Sequence, residues 1–250
     1  MKDIFEHKER KVYKRTFLQQ VDVRLEYPIL EKNDLTPELL GAVGEFFENH
    51  FQLAQNDVQL FEKEIFLKDD EQQLALSFTP IASMLSVGYK NYNTFYDSVL
   101  LYLYPLKEYV FKVLGKRDVK AYLRKVNIFS TDNHTELAQE KQERLFLQNV
   151  FSSAFLNAGE SKYRAIVDGE DTELTVRNFH VDDFTLEIRT YFLHRRKGLT
   201  TLYLDSVVNF NTDSYNLEDK LKKANSLLYD SYHWAVSEGI IDIMNKDAEV

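Results

Sequence analysis

Apolar and charged positions alternate strictly in Val21-Asp22-Val23-Arg24-Leu25-Glu26, which predicts a strand with one dry and one wet face, as antiparallel sheets require. The period then changes. Thr36 suits an N-cap, Pro37 the first helical position and Glu38 the positive end of the helix dipole. Leu39, Leu40, Val43, Phe46, Phe47 and Phe51 follow at helical spacing, a stripe that must pack on a sheet. Residues 57–67 read as one strand of imperfect alternation and 73–79 as a better one, with Asp69-Asp70-Glu71 turning the chain between them. Pro80 ends that strand, and 82–87 return as another. Asn91-Tyr92-Asn93 opens a second helix with Phe95, Val99, Leu103, Leu106 and Val110 along one side, kinked at Pro105 and closed by Gly115. Alternation resumes at 119–123 and slips before Val126 and Ile128, which predicts a bulge.

Residues 131–143 are polar and 145–156 more apolar, so 131–160 reads as a connecting helical segment. Beyond it lie strands at 163–167 and 173–181, with an Asp168-Gly169 turn between them, and a hairpin of Phe184, Leu186 and Ile188 against 202–208. Asn216 can cap a long helix with Leu217, Leu221, Ala224, Leu228 and Ala235 on its buried stripe and Asp219 at the capping-box position; Gly239 closes or interrupts it. The predicted class is α+β: antiparallel sheet covered by long amphipathic helices, in a pseudo-duplicated strand-helix-strands-helix unit. The expected domains are a charged N-terminal arm at 1–15, a first half at 16–130, the connection at 131–160 and a second half at 161–250.

A chain of 250 residues can bury about 70–75% of its unfolded surface, so its core needs no staple. The absence of cysteine removes thiol nucleophiles, disulfides and thiolate metal sites, and fits a reducing compartment. No stretch has the apolar length of a signal peptide or a membrane span, so the expected location is the cytoplasm, with no membrane contact. The net charge of −9 argues against general nucleic-acid binding, which depends on Lys and Arg neutralising phosphates. Local basic patches escape that argument.

The chemistry-bearing candidates are few. His194, Arg195, Arg196 and Lys197 form a basic hairpin tip that can grip phosphate or a carboxylate-rich partner. Asp183 and Glu187, near Arg189, are the residues a metal-dependent nuclease or hydrolase would use, although the wet face of any half-buried strand looks the same. The six histidines never fall at the spacing of a helical metal pair, and no glycine-rich phosphate loop or nucleophile elbow occurs. The basic run from His7 to Arg15 reads as a solvated arm. Tyrosines crowd the second helix, and Tyr102 and Tyr109 are the pair expected to face a partner.

The segment 92–106, the strand Tyr122-Leu123-Arg124-Lys125-Val126-Asn127-Ile128-Phe129 and the tail from Ala224 through Trp234 to Ile240 resemble an uncharacterised, sporadically distributed bacterial family of about this length. Its members carry Arg-Tyr-Ile-Asn where this chain has Arg124-Lys125-Val126-Asn127. The resemblance spans most of the chain and implies no established activity; patchy distribution is common among bacterial conflict genes, such as those of phage defence or toxin neutralisation. The resulting expectation is a non-enzymatic, cofactor-free protein that binds another protein or itself. Two alternatives stay open: the Asp183/Glu187 hydrolase, and a sensor of a nucleotide-like ligand held between sheet and helices.

Overall fold

A computed structural model describes residues 4–26, 37, 41, 44–45, 58–61, 64–69, 74–79, 82–88, 92–98, 103–104, 108, 118–130, 143–167, 169–195, 199–213 and 215–246. Ten strands lie in one sheet: β1 (Leu18–Glu26), β2 (Val58–Phe61), β3 (Glu64–Asp69), β4 (Leu74–Thr79), β5 (Ala82–Gly88), β6 (Val119–Ser130), β7 (Ser161–Val167), β8 (Glu170–Val181), β9 (Phe184–Arg195) and β10 (Leu199–Thr212). Their order is β2-β3-β4-β5-β1-β6-β10-β9-β8-β7. The described helices are α1 (Tyr92–Ser98), α2 (Glu143–Val150), α3 (Ser153–Leu156), α4 (Leu217–Ala235) and α5 (Glu238–Asn245).

This corrects the expected class. One large antiparallel sheet dominates, and among the described helices only α4, with 19 residues, is long; the others have 7, 8, 4 and 8. The apolar stretch 145–156 does not run as one helix. α2 ends at Val150, Phe151 bridges to Val236, and the Ser152 hydroxyl accepts from the Phe155 amide at 3.1 Å to start α3 afresh. Likewise α4 stops at Ala235, ahead of Gly239, and Ser237 caps α5. Nor does a strand-helix-strands-helix unit describe the order. What recurs is a single strand, β1 or β6, that neighbours the last strand of the four-strand meander following it, β5 or β10.

The strands account for more of the chain than their alternation implied. Where one strand was expected at 57–67, Val58–Phe61 and Glu64–Asp69 are two antiparallel strands, with Phe61 paired to Glu64 and Val58 to Leu67. Around the expected slip before Val126, burial departs from strict alternation: Lys125 is half-buried while Val126 and Asn127 are both buried. Val119, Ala121, Leu123, Asn127 and Phe129 keep one parity and are all buried, while Val126 and Ile128 continue the opposite face into an apolar cluster with Tyr191, Leu193, Tyr203 and Val167. The helix expected at 36–51 lies largely outside the described residues; Pro37, Gly41, Gly44 and Glu45 are helical.

Two compact units share the chain. In the one built of Gln20–Arg124 and Asn209–Lys222, Val21, Val23, Leu25, Leu85, Ala121 and Leu123 form the dry face. On the other face of β1, Asp22 is buried but satisfied: Ser86 donates to it at 2.6 Å, Gln20 at 2.8 Å and Arg124 at 3.2 Å. Tyr122 donates to Glu26 at 2.6 Å beside it. The unit built of Met1–Gln19, Lys125–Val208 and Lys223–Val250 has an aromatic core. Phe17 meets Phe129 and Phe151 meets Phe155 at a tilt, each pair with ring centres 4.7 Å apart, while Trp234 meets Phe5, Phe155 and Phe179 edge-on at 5.3, 5.5 and 5.5 Å. These rings bury the largest areas available to single side chains.

Candidate functional site

Among the described residues β7 is the last strand of the sheet, with β8 as its one paired neighbour. Its hairpin with β8 closes between Val167 and Glu170, where Gly169 takes φ +81°, a conformation that a residue with a Cβ adopts only under strain. The start of the strand is pinned. Glu160 accepts from the Arg177 guanidinium at 2.6 Å and lies 3.7 Å from the Lys162 ammonium. Arg177 is only 3% exposed, its guanidinium lies 4.2 Å from the Phe155 ring centre, and its Nε and Nη1 have no hydrogen-bond partner. Burial lowers the Arg177 pKa, with Glu160 opposing that shift.

No residue of β7 is buried, and Ser161, Lys162, Tyr163, Arg164 and Ile166 are exposed. Tyr163 is 55% and Ile166 79% accessible, placing two large apolar side chains on an edge whose outward backbone N–H and C=O groups have no strand beside them. Such an edge is a template for another strand. Lys162 is neutralised by Glu173 at 2.9 Å as well as by Glu160. Arg164 stands across from Glu173 in the ladder, and no ion pair engages it among the described residues.

The N-terminal arm is the second polar assembly, and it is not simply a solvated arm. Residues 5–15 run along α4 and α5: Phe5 is buried against Trp234 and Phe179, His7 Nδ1 lies 3.1 Å from Asp230, and the Lys8 amide donates to the same carboxylate at 3.0 Å. The Lys11 amide donates to the Tyr229 hydroxyl at 3.0 Å, Tyr13 Oη sits 3.1 Å from His233 Nε2, and the Arg15 amide donates to the Met244 carbonyl at 3.1 Å. Burial raises the Tyr13 and Tyr232 hydroxyls and lowers His233, so this cluster is held neutral. Burial likewise pulls the nearby Lys125 ammonium down to about 7, with Arg10 adding repulsion. Of Ile4, Phe5, Val12 and Tyr13 in the arm only Phe5 is buried, so the sequence carries little sign of this docking.

The residues singled out from the sequence do not converge. His194 and Arg195 end β9, and Arg196, Lys197, Tyr102 and Tyr109 lie outside the described residues, as do the side chains of His194 and Arg195. Asp182 and Asp183 are the two-residue turn of the β8–β9 hairpin, closed by Val181 and Phe184, with Asp182 at φ +50°. Asp is favoured in such turns because it tolerates left-handed backbone, so turn chemistry explains the pair. Glu187 is four residues along β9, about 13 Å from Asp183 at 3.3 Å per residue, too far for both to hold one ion. It pairs instead with Arg189, which also faces the buried Asp205 at 3.9 Å. Among the described residues, no group of three or more metal-ligating side chains comes together. No described helix is long and apolar enough to cross a membrane.

No protein-family model matches the chain, and no curated protein is similar to it.

Proposed function

We propose that this protein works by binding another protein, and that the partner adds a strand to the β7 edge. The single observation behind this reading is the terminal strand itself: seven residues, none buried, with Tyr163 and Ile166 presented at an edge that has a neighbour on one side only. Main-chain hydrogen bonds along such an edge supply affinity and alternate side chains supply selectivity. Edge strands are aggregation hazards that charges such as Lys162 blunt, and an edge that still exposes Tyr163 and Ile166 is suited to a partner. The resemblance carried by Arg124–Asn127 and the C-terminal tail supports placing that partner in a bacterial conflict system, in phage defence or toxin neutralisation.

The test is light scattering after size-exclusion on the protein co-expressed with its genomic neighbours, for the native chain and for Ile166→Arg. A heterocomplex of fixed ratio that the substitution dissolves, with an unchanged melting temperature, is the expected result. A lone monomer, or a complex indifferent to Ile166→Arg, would remove this reading.

A further inference from the structure

Resting on β7 as the docking strand, we propose that what docks there is an extended acidic segment of the partner, with a carboxylate set opposite Arg164. Positions 162, 164 and 166 share one face of β7. Lys162 on that face is already satisfied by Glu173 and Glu160, at 2.9 and 3.7 Å. It does what edge lysines do, deterring stray pairing. Arg164 differs. Its ladder partner Glu173 is engaged by Lys162, and among the described residues no carboxylate pairs with the Arg164 guanidinium. A strand added alongside would bring its own residue to about 4.5–5.5 Å from Arg164, and a carboxylate there gains a charge-assisted, two-pronged contact.

Two residues further along, Ile166 offers apolar surface at 79% exposure, so the matching segment carries an acid and, two positions away on the same face, an apolar residue. A second copy of this chain is a poorer occupant. Its full-length symmetric antiparallel pairing with β7 is centred on Arg164 and sets two guanidiniums face to face, a destabilising like-charge pair. The chain's net charge of −9 slows the approach of any acidic partner, so recognition operates within the screening length of about 8 Å.

Two dye-labelled seven-residue peptides of Val and Thr test this on the full-length protein, both with Val two positions either side of the centre and differing only in a central Glu or Lys, which full-length pairing sets opposite Arg164. Fluorescence anisotropy gives affinity, and residue-resolved hydrogen exchange shows where each binds. The Glu peptide should bind roughly tenfold tighter or better, as one charge-assisted contact implies, and slow exchange along Ser161–Val167. Arg164→Glu should reverse the preference, and Arg164→Gln should erase it without reversal. Equal affinity for both peptides with β7 protected would overturn the acidic partner and leave the docking strand standing. Protection of β7 by neither peptide would overturn both, and a free homodimer with β7 already protected would replace the partner with a second copy.

Discussion

β10 and β7 belong to one sheet, three positions apart, and bury their side chains in opposite ways. From Thr201 to Val208 every residue of β10 is buried, including Asp205 at 2% exposure, whereas β7 buries none of its seven. An interior strand covered on both faces has its ladder complete on both sides, and its side chains can only hold the fold. A terminal strand keeps half its backbone polar groups unclaimed. The difference separates stability from recognition within one sheet: losses in β10 should be read in unfolding free energy, and changes in β7 in binding.

The sharpest break of that comparison is Leu204→Ala against Ile166→Ala. Leu204 is fully buried, so its truncation should cost about 2–5 kcal/mol in urea unfolding. The Ile166 change should stay within about 0.5 kcal/mol. Equal losses would mean that β7 is not an open edge. Next in size, Glu160→Ala strips the buried Arg177 of its carboxylate and should cost about 1–3 kcal/mol; Arg177→Leu on top of it should recover part of the loss, because the orphaned donors go with it.

An interior charge should also reveal itself through pH, where an edge charge should not. The Lys125 pKa lies at about 7 in the fold and near 10.5 unfolded. The unfolded chain therefore binds more protons between those values, and Lys125 makes stability rise as pH climbs from 7 towards 10. Lys125→Met should flatten that slope in pH-dependent denaturation, while Arg164→Gln should leave it unchanged. The smallest effect concerns the hairpin that presents β7. Gly169→Ala meets no atom within 4 Å, so its cost of about 1–2 kcal/mol would come from φ +81° alone, as a thermal shift without loss of partner binding.

The strands were largely legible because period-two alternation is a local signal: the readings at 21–26, 73–79 and 82–87 meet strands at Leu18–Glu26, Leu74–Thr79 and Ala82–Gly88. What alternation cannot say is which strand ends the sheet. Ser161–Val167 has the apolar content of an interior strand, and only its lack of a second neighbour, set by distant pairings, turns it into an edge. The helices were over-read. The apolar spacing of 145–156 is helical throughout, yet Ser152 offered its hydroxyl as a cap and cut the segment in two. Asp182-Asp183 shows the converse error, in which two carboxylates suggested chemistry while the left-handed φ of Asp182 shows a tight turn. The docked arm was hidden because its bonds to α4, made by backbone and side chains alike, meet partners some 220 positions away.

The most direct test of β7 as the recognition strand is residue-resolved hydrogen exchange on the complex formed with a co-expressed genomic neighbour. New protection confined to Ser161–Val167, with β10 slow in both free and bound protein, is the predicted result. Protection appearing elsewhere while β7 exchanges as fast as in the free chain would contradict it.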